Sequence, residues 1–150
     1  MILDTPRTAG GFVPAGQTIE TAAGVTLSAS STDASVWVSS LDGKPLASSR
    51  RMLVTHLTDV QNTRVKYGER DMRTLLEWGA LPHLARAGRA LINLKSQHST
   101  ELKAWALSTS GRRLAPVPVK AEDGKLTFTA DVAAFAAEHG AVLCYELIAE

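Results

Sequence analysis

The stretch that decides the fold is "RRMLVTHLTDVQNT", residues Arg50 to Thr63. It is rich in Val, Leu and Thr, which favour strands, and it also contains one His and one Asp. On a strand, successive side chains alternate between the two faces of the sheet, so Leu53 and Val54 point in opposite directions. Both faces are mixed in polarity. This pattern predicts a long central strand, Arg51–Asn62, in a protein of two layers.

The same alternation tests whether His56 and Asp59 form a catalytic pair. It places the two side chains on opposite faces of the strand, so a pair would need a bulge and a nucleophile from elsewhere. We therefore predict that His56 is a semi-buried sheet histidine bonded to backbone or to a hydroxyl. Asp59 and Asn62 are predicted to bond neighbouring loops. No catalytic residue is predicted in this stretch.

Turn-forming residues recur about every ten residues along the rest of the chain. The Asp-Gly pairs Asp42-Gly43 and Asp123-Gly124 are typical of hairpin turns. The pattern predicts an all-β fold, an antiparallel two-sheet β-sandwich of Greek-key or jelly-roll type. At most one or two short helices are expected, at Met72–Trp78 and Asp131–His139. A length of 150 residues fits one domain, so residues 1–150 are predicted to be a single β-sandwich module.

The runs between the turn signals give the expected strands. The polar segment Thr63–Arg73 is predicted to be the longest loop. The candidate strands are Ile2–Thr8, Val25–Ser30, Ser35–Leu41, Arg51–Asn62, Thr74–Trp78, Arg89–Leu94, Leu102–Ser108, Val117–Lys120, Lys125–Thr129 and Ala141–Ile148.

Charge and composition argue against several classes of partner. Sixteen basic and fifteen acidic residues give a net charge of +1, which argues against nucleic acid. No apolar run reaches the roughly 20 residues of a membrane span, so no membrane partner is expected. The single cysteine, Cys144, excludes an internal disulfide and is expected to be buried and inert. The four histidines lack ligand spacing, so neither a metal site nor a cofactor is predicted. We also expect the natural chain to extend upstream of Met1.

The aromatic residues supply the candidate binding site. Trp37 lies in "SVWVSS", where alternation places Ser35 and Ser39 on the same face as the indole. A flat ring flanked by hydroxyls suits carbohydrate, so Trp37, Ser35 and Ser39 are the predicted carbohydrate-binding residues. Tyr67 and Trp78 are the further candidates for this site.

The order of motifs resembles a known family. The motifs are "DTPRTAGGF", "VWVSSLDGKPLASSRRMLVTHLTDVQNT", "LLEWGALPHL", "LKAWALSTSGRR" and "VLCYELIA". Together they resemble the C-terminal β-domain of large bacterial glycoside-hydrolase-like proteins, in which a TIM-barrel catalytic domain precedes a small antiparallel β-sandwich. The chain departs from that pattern at Cys144, where a Trp is expected, and at Arg64, where Gly is common.

The resemblance implies an accessory module excised from a larger carbohydrate-active enzyme, and the fragment itself is not expected to be an enzyme. Its partners would be polysaccharide or oligosaccharide and an upstream catalytic domain. The parent protein would be secreted or periplasmic. Two alternatives stay open. One is a purely structural domain between other domains, and the other is a small hydrolase that uses Asp59, His56 or Glu146. A glycosidase would need two facing carboxylates, and nothing in the sequence places Glu77 opposite Glu146.

Overall fold

The computed structural model describes residues 1–149 and consists almost entirely of β-strands. A 3-10 helix, Leu46–Ser48, and a short α-helix, α1 (Ala136–His139), are its helical segments within that range. The strands are β1 Ile2–Asp4, β2 Thr8–Val13, β3 Thr18–Glu20, β4 Val25–Ala29, β5 Ala34–Ser40, β6 Arg51–Leu57, β7 Val60–Thr63, β8 Lys66–Tyr67, β9 Leu75–Glu77, β10 Ala80–Ala85, β11 Arg89–Lys95, β12 Leu102–Leu107, β13 Arg113–Val117, β14 Lys120–Glu122, β15 Lys125–Asp131 and β16 Cys144–Ala149.

Two antiparallel sheets pack together around one core. Seven strands form the first sheet, in the order β1-β2-β5-β6-β16-β12-β13, and five form the second, in the order β14-β15-β11-β4-β3. In β6 the alternation is clear, because Met52, Val54 and His56 are buried while Arg51 and Leu57 are exposed. The predicted all-β sandwich with short helices is thereby confirmed.

The core is filled by the inward side chains of both sheets. Met52 and Leu147 come from the seven-stranded sheet, and Leu27 and Ile92 come from the five-stranded sheet. All four are fully buried. Burying such a side chain contributes about 1.5–3 kcal/mol, so this core is the main source of stability.

Tyr145 ties the two sheets together at one end of the core. Its ring packs against Phe128 with centroids 5.7 Å apart, and its hydroxyl donates to the backbone oxygen of Asp131 over 3.0 Å. Burial raises the pKa of the Tyr145 hydroxyl well above its ordinary value. The phenol is therefore a structural donor that stays protonated.

The predicted long strand Arg51–Asn62 is wrong in its second half. β6 ends at Leu57, and the chain then leaves the sandwich as β7, which pairs with β10. Polar groups stop the ladder at this point: the Thr58 hydroxyl donates to the oxygen of Arg86 over 2.6 Å, and the amide of Arg86 donates to the oxygen of Asp59 over 2.8 Å. The returning chain thus takes the hydrogen bonds that a continued strand would have used.

Residues 60–85, here called the arm, form two small antiparallel ribbons outside the two main sheets. One ribbon pairs β7 with β10, and the other pairs β8 with β9. The predicted loop Thr63–Arg73 therefore contains strand β8. The predicted helix Met72–Trp78 is also wrong, since Met72 adopts φ 57° and the following residues form β9. A left-handed residue at its start interrupts helical winding.

The second predicted helix, Asp131–His139, is shortened to α1. Asp131 belongs to β15, and its carboxylate accepts the amide of Ala133 over 2.9 Å, which turns the chain before the helix begins. Gly140 ends the helix with φ 74°. The Asp123-Gly124 turn is confirmed, because both residues have positive φ and Glu122 pairs with Lys125 across it. Within residues 1–149 no helix is long and apolar enough to cross a membrane.

Candidate functional site

The outer face of the seven-stranded sheet carries the predicted Trp37 site. In β5, Ala34, Val36 and Val38 are buried, so Ser35, Trp37 and Ser39 point outwards and are partly exposed. The structure thus brings together the three residues that alternation placed on one face. The name platform is used below for Phe12, Ser35, Trp37, Ser39 and Thr55.

Gly10 of β2 and Thr55 of β6 flank Trp37 on the neighbouring strands. No side chain projects from β2 at this position, because a Cβ built on Gly10 would lie 2.2 Å from the Val36 oxygen and 2.8 Å from the Trp37 Cα. Only glycine allows the two backbones to approach this closely at φ +152°. One side of the indole is therefore bordered by backbone alone.

Phe12 adds a second ring to the platform that the sequence reading missed. It lies opposite Ser35 in the β2–β5 register, and it is 44% exposed. Alternation within "TAGGFV" contains the signal, but only the register between β2 and β5 places this ring beside Trp37. The hydroxyls of Ser35, Ser39 and Thr55 make no hydrogen bond within residues 1–149. Two rings and three available hydroxyls thus share one sheet face.

A buried carboxylate lies next to the platform on the same outer face. Glu146 of β16 is 5% exposed, and its two oxygens accept from Arg51 Nε over 2.8 Å and from Arg113 Nε over 2.7 Å. The Arg113 guanidinium also lies 5.1 Å from the centre of the Trp105 ring. Burial alone would raise the pKa of Glu146, but the hydrogen bonds from the two arginines outweigh it and lower the pKa below its ordinary value of 4.5. This carboxylate is held as an anion between two cations.

Replacing Glu146 tests that structural role. Glu146→Gln keeps the shape but removes the charge, and it should lower the free energy of unfolding by about 1–3 kcal/mol, since charge-assisted hydrogen bonds are lost. Glu77→Gln is the matched control, because the Glu77–Lys66 pair on the arm is exposed and such pairs contribute at most about 1 kcal/mol. Urea unfolding at pH 7 measures both. Equal losses in the two variants would contradict the assignment.

The residues of the hydrolase alternative do not come together. His56 points into the core and is fully buried, and neither ring nitrogen has a hydrogen-bond partner. The expectation that it bonds backbone or a hydroxyl is therefore wrong. Asp59 lies where the arm leaves the sandwich, and it accepts from Gln61 over 2.9 Å and from Arg86 over 3.3 Å. That contact with a neighbouring segment is as predicted, and no His–Asp pair forms.

The two remaining candidates are Asn62, which hydrogen-bonds to neighbouring residues, and Cys144, which is half-buried. Asn62 donates to the oxygen of Trp78 over 2.8 Å, and its oxygen lies 2.7 Å from His83 Nδ1. Cys144 is only half-buried, although more burial was expected, and that burial raises the pKa of its thiol. No group of three or more His, Cys, Asp or Glu residues in the described range is arranged to hold a metal ion.

Tyr67 and Trp78, the other two predicted site residues, lie on the arm and not on the platform. They line a cleft of about 320 Å³ with Val60, Val65 and Leu75. Trp78 is 77% exposed. The five predicted residues therefore divide into two groups, three on the platform and two on the arm.

Comparisons of this chain with protein-family models, with curated proteins and with solved structures gave no match. The resemblance to a glycoside-hydrolase accessory domain stays a prediction. The function proposed below depends on the geometry of the platform.

Proposed function

We propose that the chain is a non-catalytic accessory module of a carbohydrate-active enzyme and binds polysaccharide through the platform. The observation that carries this proposal is the partly exposed Trp37 indole, which has unengaged hydroxyls on its own and a neighbouring strand. The exposed Phe12 ring extends the same surface.

The chemistry of a sugar ring matches these groups. Its C–H faces are apolar and cover an aromatic ring well, whereas its hydroxyls need donors and acceptors at the ring edge. Ser35, Ser39 and Thr55 each provide a hydroxyl that both donates and accepts. Sites for small molecules are usually concave clefts, so the outer face of a sheet suits an extended chain of sugars more than a single small molecule.

One observation favours the second candidate, a structural domain that packs on an upstream catalytic domain. Leu57 lies opposite Ser35 on β6 and is 42% exposed, and Leu53 of the same strand lies on the same outer face, partly buried. These aliphatic side chains enlarge the apolar share of the face, which could equally be covered by protein. The two candidates predict opposite results with glycan. A module whose role is only structural would show no affinity for any polysaccharide.

Glycan binding should depend on Trp37. Trp37→Ala removes the stacking surface, and we expect affinity for a bound oligosaccharide to fall at least about tenfold, since loss of an aromatic anchor costs at least about 1–2 kcal/mol. Binding is first located by affinity electrophoresis against a panel of plant polysaccharides. It is then measured by calorimetry with an oligosaccharide of the polysaccharide that binds.

Trp78→Ala is the matched control, because it removes an indole of the same size from the arm. Its affinity should stay within about twofold of the unchanged protein. If Trp78→Ala lost affinity for the oligosaccharide and Trp37→Ala kept it, the binding site would lie on the arm. No binding to any member of the panel would contradict the proposal and favour the structural role. Incubation with the same panel tests for turnover, and none is expected.

A further inference from the structure

The arm presents an unusual amount of apolar surface. Among residues 1–149, fourteen large apolar side chains are exposed, and six of them lie on the arm. The most exposed are Trp78 at 77%, Leu81 at 74% and Leu76 at 64%. A concentration of exposed apolar side chains on a projecting element is typical of an interaction site.

The arm also has little of its own to stabilise it. Both of its sheets have only two strands, and an isolated two-stranded ribbon is marginally stable in water. A structure of this kind needs further burial to become firmly ordered. The apolar side chains that could supply such burial are the ones that point to solvent.

The total solvent-accessible surface of the chain also indicates that part of it is available for an interface. The chain exposes 8557 Å², whereas a compact monomer of 16.0 kDa exposes about 7,400 Å². The excess of about 1,200 Å² exceeds the roughly 800 Å² that each partner buries in a standard protein interface. The molecule therefore has enough surplus surface for one such interface.

We propose that the arm packs against the arm of a second copy of this chain, forming a symmetric dimer. Trp78 has the exposed leucines Leu76 and Leu81 two and three positions away along the chain, and exposed aliphatic side chains suit a protein partner more than a sugar. Trp is also among the residue types enriched at the centres of protein interfaces.

The charges of the arm are compatible with a second copy as the partner. Residues 60–85 contain four basic and three acidic side chains, so two identical arms repel each other only weakly. Two pairs, Lys66–Glu77 and Arg73–Asp71, neutralise most of that charge within the arm. An isologous contact between identical surfaces is also the commonest route to a closed dimer.

The contact uses side-chain faces and not strand edges. Pro82 lies within β10 and has no amide to donate, so the free edge of β10 is a poor template for pairing. The cleft beside Trp78 provides a concave surface for packing instead, in which Val60, Val65, Tyr67 and Leu75 stand beside the polar residues Gln61, Asn62 and His83. This site is separate from the platform, so the dimer and the glycan site are tested independently.

Sedimentation velocity over a range of protein concentrations tests the dimer. We expect a reversible dimer for the unchanged chain, well populated at about 200 μM. Leu81→Glu and Trp78→Ser should each weaken dimerisation at least about tenfold, because a charge or a polar group replaces an exposed apolar contact. Leu91→Glu is the matched control, since Leu91 is a 41% exposed leucine on the outer face of the five-stranded sheet.

Thermal unfolding of each variant tests whether the sandwich is intact. Because the side chains of Leu81 and Trp78 are exposed, we expect the melting temperature to change little. The Leu91→Glu variant should dimerise like the unchanged chain. A chain that stays monomeric up to about 200 μM would overturn the proposal. So would arm variants that dimerise as strongly as the unchanged chain, or a Leu91→Glu variant that is weakened as much as they are.

Discussion

Gly10→Ala, beside the platform, is expected to destabilise the protein strongly. The new Cβ would lie 2.2 Å from the oxygen of Val36 and 2.8 Å from the Cα of Trp37, and both neighbours are backbone atoms that cannot rotate away. The residue at position 10 must also hold a backbone φ of +152°, which residues other than glycine rarely adopt. Overpacking and backbone strain together should lower the free energy of unfolding by about 3–5 kcal/mol.

Gly111→Ala separates the two causes. Gly111 also has a positive φ, +82°, but nothing lies within 4 Å of its added Cβ. Gly111→Ala introduces backbone strain but no steric clash, so its free energy of unfolding should fall by only about 1–2 kcal/mol. Urea unfolding of both variants gives the comparison. If Gly10→Ala lost no more stability than Gly111→Ala, the close approach of β2 and β5 would not exist in solution.

The Gly10 contact also bears on the platform. Relief of the clash requires β2 and β5 to separate, and Trp37 is the residue directly opposite Gly10. If the platform binds glycan as proposed, any Gly10→Ala protein that remains folded should therefore bind it more weakly than the unchanged chain. The glycine is thus a positioning residue for the indole.

The local sequence pattern predicted which side chains lie on each face of a strand. It did not predict which side chains of the neighbouring strands lie beside them. The alternation of "SVWVSS" correctly placed Ser35, Trp37 and Ser39 on one outer face, because side-chain direction in a strand is a local property. The presence of Phe12 beside Ser35 depends on the register between two strands more than twenty residues apart. Register is set by contacts across the whole sheet, which no local window contains.

The arm was misread for a similar reason. The run from Arg51 onwards keeps a strand-like composition past Leu57, yet the strand stops where Thr58 and Asp59 bond the returning chain at Arg86. Those bonds join residues 27 or 28 positions apart and are not visible in the run itself. The spacing of Met72 and Leu75 suggested a helix, but a ribbon pairing between β8 and β9 takes precedence over this weak local preference.

The stability of the protein is expected to fall as the pH drops below about 6.5, because of His56. The ring is fully buried, and neither nitrogen has a partner, so a proton on it would be a buried charge. This burial lowers the pKa of His56 below its ordinary value of 6.5, and the nearby negative charge of Asp131 only partly opposes it. The folded chain therefore holds His56 neutral where the unfolded chain is already protonated.

The sign of the effect follows from proton binding. Above pH 6.5 both states are neutral at this residue, and it adds no pH dependence. Below that value the unfolded state binds a proton that the folded state does not, so the free energy of unfolding falls by up to about 1.4 kcal/mol for each pH unit. Between pH 5 and 6.5 the carboxylate of Glu146 stays ionised, because its pKa is lowered below 4.5.

Two substitutions separate the titration of His56 from the cost of burying its polar atoms. His56→Leu fills the site with an apolar side chain, so we expect it to be about 1–3 kcal/mol more stable than the unchanged protein at pH 7 and to lose the pH dependence between 5 and 6.5. His56→Gln cannot titrate but keeps buried polar atoms, so its profile should be equally flat with no gain in stability at pH 7. Urea unfolding at several pH values distinguishes them. If both variants retained the slope of the unchanged protein, another group would be responsible. If His56→Gln were as stable as His56→Leu, the unpartnered nitrogens would not lower the stability of the unchanged protein. The ring of His56 would then have hydrogen-bond partners in solution.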